Sequence, residues 1–298
     1  MLDVIEKGIL LAAKTSWKVG GAAEYFVEPS NVQDLAEALS WAQSENISVT
    51  VLGDGTNVLV SDQGIKGLVV LMKSFQQIES VEEKAGRLEI VSQSGVAKSK
   101  LMREFLKRKL SPALFLSGLP GNLGGGIFMN AGVGEDREPK EFCEIIDWFE
   151  VLGYRDLQVK KYNNKDVIWN YRKCSGYDEG IIIRAQISWP MDAQDDIPAQ
   201  VIAANKLRLS KQPLDLPSCG SVFKNPDGTS AGKLIDECGL KGLTKGGAQV
   251  STKHANFIVN TNQAKASEIY ALIQEVQKEV LKQKNIHLKT EVRMLGWD

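Results

Sequence analysis

The feature that most constrains this chain is the run Ser117-Gly118-Leu119-Pro120-Gly121-Asn122-Leu123-Gly124-Gly125-Gly126-Ile127-Phe128-Met129-Asn130-Ala131-Gly132. Glycines at this density weaken helices and strands alike. A flexible linker tolerates them, but linkers seldom interleave Leu, Ile, Phe and Met. Backbone packed closely against a phosphate or a flat ring system explains the pattern better, because a missing Cβ lets N–H groups approach a ligand. A shorter segment, Leu52-Gly53-Asp54-Gly55-Thr56-Asn57-Val58, closes an apolar run in a similar way. It reads either as a β-turn, for which Asp-Gly is a strong signal, or as an anion cradle with Thr56 and Asn57 as added donors.

Around these two segments the pattern is mixed. Ser30 followed by Gln33 reads as a capping box, and Leu35, Ala38, Leu39 and Ala42 then fall on one helical face. Ile47–Leu52 and Leu68–Met72 read as buried strands, so residues 1–75 form a small βαβ-like unit. In residues 76–210, Leu88–Val91 reads as a strand and Lys98–Leu110 as a helix with Leu101, Phe105 and Leu106 inward. Cys143–Leu152 and Ile181–Trp189 read as further strands. Residues 211–298 form a third segment. It holds a helix over Ala231–Cys238 ended by Gly239, a strand over Phe257–Asn260, a long helix over Ala266–Gln283 and a last strand over His287–Leu295. The long helix carries Ile269, Leu272, Ile273, Val276, Val280 and Leu281 at helical spacing. The fold class expected is α+β.

Composition removes several classes of function. A chain of 298 residues with net charge −1 has no global basic excess and no long charge run. Nothing therefore points to a nucleic-acid or membrane-surface partner. The four cysteines, Cys143, Cys174, Cys219 and Cys238, form no C-x-x-C pair and fit a reducing compartment. Gly8–Ala13 is too short for a signal-peptide core, and no run approaches the roughly 20 apolar residues of a membrane span. A soluble, cytoplasmic protein is expected. No G-x-G-x-x-G occurs, so a Rossmann nicotinamide domain is not indicated. With only His254 and His287 in the chain, no multi-histidine metal site can form.

Three further motifs can carry chemistry. Tyr171-Arg172 follows the strand-like Val167–Trp169; the arginine is either a stacked structural residue or a fixed cation for a carboxylate. In Ser218-Cys219-Gly220-Ser221-Val222-Phe223-Lys224-Asn225-Pro226, Ser221 is a turn serine or a proton donor. Cys219 reads as a small buried residue. In Thr290-Glu291-Val292-Arg293, the Glu291 carboxylate faces solvent or points into a site.

Taken in order, these pieces resemble one family, the UDP-N-acetylenolpyruvoylglucosamine reductases (MurB), in its shorter subclass without the inserted loop whose Tyr folds over the substrate. The matching stretches run from Thr15-Ser16-Trp17-Lys18-Val19-Gly20-Gly21-Ala22, through both glycine segments, Tyr171-Arg172 and Gly220–Pro226. They continue through Gly246-Gly247-Ala248 and His254-Ala255-Asn256-Phe257 to Glu291-Val292-Arg293. Each is weak alone, and the ordered set is specific.

The resemblance implies a PCMH-type FAD-binding unit of two subdomains, 1–75 and 76–210, and a C-terminal α/β substrate-binding domain, 211–298. FAD would be held by Gly53, Asp54, Gly55, Thr56 and Asn57 and by Ser117, Gly118, Pro120, Gly121, Asn122, Gly124, Gly125, Asn130, Ala131 and Gly132. NADPH would reduce the flavin and leave. UDP-N-acetylglucosamine enolpyruvate would then take hydride from flavin N5 at C3 and a proton from Ser221 at C2. This is a step of peptidoglycan precursor synthesis, on which cell shape and division depend. Arg172 and Glu291 would stabilise the charge that grows on the substrate carboxylate. Tyr171, Lys211, Asn225 and His254 would contact substrate, with Lys211 and Asn225 at the UDP diphosphate. The chain departs from the family at Cys174, where serine is common, and at Asn122, where Ser or Thr is usual. Two other readings remain open: another FAD oxidoreductase on the same scaffold, oxidising a sugar or hydroxy acid, and a catalytically silent flavin-binding protein. A monomer is expected.

Overall fold

The structure is a computed structural model and describes residues 4–133 and 138–297. In chain order its first elements are β1 (Glu6–Leu10), β2 (Ala22–Val27), α1 (Val32–Ser44), β3 (Val49–Leu52), β4 (Val58–Val60), β5 (Ile65–Leu71), β6 (Ile78–Lys84) and β7 (Arg87–Gln93). Next come α2 (Lys98–Lys107), α3 (Pro112–Ser117), α4 (Leu123–Phe128), β8 (Ile146–Gly153), β9 (Val159–Asn163), β10 (Ile168–Asn170), β11 (Lys173–Ser175), β12 (Gly180–Pro190) and α5 (Ile197–Lys211). The last are α6 (Ala231–Glu237), β13 (Thr244–Lys245), β14 (Ala248–Val250), β15 (Ile258–Asn260), α7 (Ala266–Lys284) and β16 (Arg293–Leu295). They divide between two compact units. The first is built chiefly from Val27–Asp54 and Val70–Leu207, the second from Glu6–Phe26, Gly55–Val69 and the chain from Arg208 onward.

The first unit is organised on a five-stranded antiparallel sheet in the order β6-β7-β12-β8-β9. β12 can sit at its centre because Ile181, Ile182 and Ile183 are apolar in succession and all buried. α2, α3 and α4 share one core with the sheet, in which Leu101, Phe105, Phe115, Ile127, Phe142 and Phe149 are fully buried. Burying each such side chain contributes roughly 1.5–3 kcal/mol. α1 buries Leu35, Ala38, Leu39 and Ala42 as its periodicity requires. Its cap lies one residue beyond the expected Ser30: Asn31 Oδ1 accepts from Asp34 N–H at 2.9 Å, and Ser30 N–H donates back to Asp34. Asn caps as well as Ser, and the side chain that accepts from Ser30 N–H is the Asp34 carboxylate, not the Gln33 carboxamide.

The middle of the glycine run is helical, contrary to expectation. Gly124, Gly125 and Gly126 lie inside α4. Close packing requires the composition at Gly126, where a Cβ would stand 2.5 Å from the Phe142 ring. The lost helix propensity is offset by bringing α4 against that buried ring.

In the second unit β1, β2 and β5 neighbour one another in that order, and β13-β14-β15 form a meander. β4 pairs with β16 in parallel, Val58 opposite Arg293. This pairing sets the chain's end beside the segment that follows the first glycine pair. Trp17 is fully buried in this unit's core with Phe223, Ile235, Ile258 and Leu272. Its indole N–H donates to the Ile258 carbonyl at 2.7 Å. α7 buries Ile269, Leu272, Ile273, Val276 and Val280, while Leu281 is exposed, being off the stripe. The last strand is shorter than expected. β16 begins at Arg293, and Glu291 lies in the bend before it. No helix among the described residues is long and apolar enough to cross a membrane.

Candidate active site

In the first unit the second glycine segment is tied down from both sides. Gly124 N–H donates to the Ser94 carbonyl at 2.7 Å, and Leu123 N–H to that of Val96. Asn122 caps α4 by accepting from Gly125 N–H at 3.0 Å. Asn122 Nδ2 and Ser94 Oγ are nonetheless buried with no hydrogen-bond partner, a costly state for polar groups in a finished interior. Gly53 lies directly over Asn122: a Cβ there would come within 2.7 Å of that same Nδ2. The two glycine segments therefore meet at Gly53 and Asn122, beside a side-chain donor that has no hydrogen-bond partner.

Ser117 Oγ donates to the Leu114 carbonyl and finishes α3. Asn130 serves the scaffold. It is fully buried; its Nδ2 donates to Glu141 at 2.7 Å and to the Asn170 carbonyl at 3.2 Å, and its Oδ1 accepts from Cys143 N–H. Asn170 is the last residue of β10. Tyr171 and Arg172 form the turn between β10 and β11, with Asn170 paired to Lys173. Arg172 takes φ +58°, a left-handed conformation that costs a side-chain-bearing residue about 1–2 kcal/mol. Its Nη2 donates to the Gly132 carbonyl at 3.2 Å, and its guanidinium lies 4.6 Å from the Tyr171 ring centroid. The glycine segment, through Asn130 and Gly132, thus aims the hairpin that carries Arg172. Cys174, on the next strand, is buried, and its thiol is pushed up to about 12 by burial.

Lys98, at the start of α2, is a residue the sequence reading passed over. It is 5 % exposed. Its Nζ donates to the Pro120 carbonyl at 2.8 Å and lies 5.3 Å from the Phe142 ring centroid. Burial lowers its pKa to about 8, with Asp54 opposing the shift and Arg172 adding to it. Asp54 is raised above the usual carboxylate value by its own burial, against the pull of Lys73 and Lys98.

The second unit holds a cavity of about 560 Å³ lined by Ser221, Asn225, Lys233, Lys241, Lys253 and His254, among others. Its volume suits a small-molecule ligand. Ser221 stands between a glycine in the left-handed region and a residue whose backbone is paired. Gly220 takes φ +75°, and Val222 N–H donates to the Asn256 carbonyl at 2.8 Å. The Asn256 side chain, also overlooked, accepts from Phe223 N–H at 2.9 Å and donates to the Phe223 carbonyl at 2.8 Å. Glu291 N–H donates to the Val222 carbonyl at 2.8 Å, and Asn57 Nδ2 donates to the Glu291 carbonyl at 3.2 Å. Asn225 Oδ1 accepts from Ala231 N–H. His254 accepts from Asn256 N–H at Nδ1, 3.3 Å, and burial with the Lys241 charge lowers its pKa below the ordinary value. Lys211, at the end of α5, is exposed and is not among the cavity's lining residues. Cys219 is buried; its thiol, pushed up to about 12 by burial, points at the Val58 carbonyl at 3.3 Å.

Comparison with known proteins decides the family. A model of the UDP-N-acetylenolpyruvoylglucosamine reductase C-terminal domain matches residues 212–295, and a FAD binding domain model matches residues 23–156. The chain is 37% identical over 287 residues to the UDP-N-acetylenolpyruvoylglucosamine reductase of Pediococcus pentosaceus, covering 96% of this chain and 92% of that protein. It is 38% identical over 296 residues to the Synechococcus sp. protein of the same name, covering 98% and 91%. The chain belongs to the UDP-N-acetylenolpyruvoylglucosamine reductase (MurB) family. A crystal structure of the Thermus caldophilus MurB superposes with TM-score 0.80 at 30% identity, covering 98% of each chain. The resemblance and the mixed α+β architecture read from the sequence are both borne out.

The first unit's residues fit the FAD that the matched domain model names. Asn122 Nδ2 and Ser94 Oγ are buried donors awaiting an acceptor, and Gly53 keeps open the space a Cβ would fill. Lys98 supplies buried positive charge.

Proposed function

We propose that the chain reduces UDP-N-acetylglucosamine enolpyruvate to UDP-N-acetylmuramate, with bound FAD as hydride carrier and NADPH as the reductant, in the cytoplasmic synthesis of peptidoglycan precursors. FAD, when bound, supplies the hydride for C3 of the enolpyruvyl group. The remaining work falls to side chains. The substrate carboxylate gains negative charge as C3 is reduced, and Arg172 meets that charge. Its turn and its hydrogen bond to Gly132 fix it in place beforehand, which is what makes a cation effective in the transition state. Glu291 completes the polarising pair with Arg172. Ser221 donates its proton to C2. A serine hydroxyl is a poor acid in water, and it is adequate here because the carbon it protonates is strongly basic.

The observation that carries this reading is the bond from Glu291 N–H to the carbonyl of Val222, the residue after Ser221. It holds a carboxyl group and a hydroxyl group on adjoining backbone, while Ser221 also lines the cavity with Asn225 and His254. The lysines of that cavity, Lys233, Lys241 and Lys253, suit a diphosphate as point charges. The C-terminal segment from 211 is accordingly proposed as the substrate-binding domain, and the chain before it as the flavin-binding part.

The test uses purified protein. It should be yellow and oxidise NADPH only when the enolpyruvyl UDP-sugar is added. Oxygen-dependent turnover without that substrate would assign it to the oxidases instead. A colourless protein that cannot be reconstituted with FAD would remove every flavin reading.

A further inference from the structure

A buried lysine costs free energy unless something uses its charge. Lys98 shares the inward face of α2 with Leu101 and Phe105, where an apolar residue would pack without penalty. Instead its two ends grip successive residues of the second glycine segment. The backbone N–H donates to the Gly121 carbonyl at 3.0 Å, and Nζ donates to the Pro120 carbonyl at 2.8 Å. With those carbonyls turned toward α2, the N–H groups of Gly121 and Asn122 have no acceptor among the described residues. The unpartnered Asn122 Nδ2 lies in the same segment. Pro120-Gly121-Asn122 therefore presents donors on one side and is held by a cation on the other.

We propose that Lys98 is the charge of the FAD site: it locks Pro120-Gly121 so that the segment's donors face the cofactor's diphosphate, and its ammonium balances the diphosphate's negative charge. The proposal rests on reading this unit as a flavin site and goes beyond it by assigning the cation. No ion pair within 4 Å neutralises Lys98 among the described residues. The charged groups that face it are Asp54 from the first glycine segment, partly countered by Lys73, and Arg172 from the β10–β11 turn. Behind Phe142, Glu141 is committed to Asn130, and on α2 itself Lys100 turns away to Gln76. A doubly charged diphosphate arriving in this surrounding favours the protonated lysine. Binding must then take up a proton wherever free Lys98 is partly neutral, and by linkage FAD affinity must fall as pH rises through that range.

The experiment is calorimetric titration of FAD into the apoprotein between pH 6.5 and 9.5, in two buffers of different ionisation enthalpy. For the unaltered protein we expect proton uptake near pH 8.5 and an affinity falling up to about tenfold per pH unit above pH 8. For Lys98→Met we expect binding at least about tenfold weaker at pH 7, with no proton uptake and no slope over this range. Asp54→Asn should shift the onset of proton uptake to lower pH, because it removes the carboxylate that favours the ammonium. If Lys98→Met does not fold, proton uptake by the unaltered protein decides alone. Pure FAD binding with no proton uptake, or a folded Lys98→Met with unaltered affinity and slope, would overturn the proposal while leaving the flavin reading intact. Absence of FAD binding by the unaltered protein would overturn that reading itself.

Discussion

The Asn256 side chain clasps the backbone of Phe223, accepting from its N–H at 2.9 Å and donating to its carbonyl at 2.8 Å. Both groups are buried, so neither finds water if the carboxamide is removed. Asn256→Ala should cost about 1–3 kcal/mol for each group left unsatisfied. It should also release the segment that presents Ser221. Rapid-mixing kinetics should show flavin reduction by NADPH little changed and reoxidation by the enolpyruvyl UDP-sugar slowed. Equal slowing of both phases would mean the carboxamide serves the whole fold and not the serine.

Ser221→Ala removes the proposed proton donor. Gly220 and Val222 keep their backbone conformations, so the variant should fold with near-normal thermal stability. Reduction of the flavin by NADPH should be retained, and reoxidation by substrate should slow by about 10²–10⁴-fold, the range expected for loss of a general acid. Comparable damage to the NADPH half-reaction would take Ser221 out of that role.

Arg172 was legible as a candidate cation, but its support was not. Asn130 and Gly132 are expected at the flavin through the family resemblance. The Asn130 side chain also hydrogen-bonds Glu141, Asn170 and Cys143 and so fixes the hairpin, a scaffold role that no local pattern announces. Composition marks a close approach without saying whether ligand or protein makes it; at Gly126 it is Phe142. The periodic helices were readable because their stripes are local. The β4–β16 pairing was not, since it joins residues more than two hundred positions apart, and no local pattern encodes that register. Lys98 was readable in principle. It falls at the i, i+3, i+7 positions with Leu101 and Phe105, and a cation on an apolar stripe is itself a signal.

Asn130→Ala follows from this arrangement. Loss of the Asn170 contact should let the β10–β11 turn move and misplace Arg172. The expected result is a rise in KM for the enolpyruvyl substrate together with a drop in kcat, with FAD content retained. Arg172→Met in the Asn130→Ala background should then cost less than it costs alone, because coupled residues are not additive. Full additivity in that double-mutant cycle would show that Asn130 does not act through Arg172.

His254 binds protons less readily in the folded protein than in the unfolded chain, because burial and the Lys241 charge disfavour its cationic form. The unfolded state therefore holds more protons between the depressed value and about 6.5. Stability from this group is full above pH 6.5 and is lost as pH falls below it. His254→Gln should flatten the thermal-stability profile as pH falls below 6.5, relative to the unaltered protein. An unchanged slope would place the titrating group elsewhere.

Lys98 gives the opposite end of the pH range. Its folded-state pKa of about 8 lies below the ordinary value of 10.5, so the unfolded chain again holds more protons, here across the interval from about 8 to 10.5. Stability of the apoprotein should rise with pH over that interval as the buried ammonium is discharged. At pH 7 the charge is retained in both states at a cost of up to roughly 3 kcal/mol, by the usual 1.36 kcal/mol per pKa unit. Lys98→Met should therefore make the apoprotein more stable at pH 7, and the gap between the two proteins should close by about pH 10. Saturating FAD should reverse the order, because the cofactor then stabilises the lysine-bearing protein more strongly. A fold that keeps a destabilising cation in its interior, and recovers the loss when an anionic cofactor binds, gives up stability for its ligand. Denaturant titrations of both proteins, with and without FAD, at pH 7 and pH 10 test each part. A Lys98→Met apoprotein less stable than the parent at pH 7 would show that the ammonium supports the fold itself.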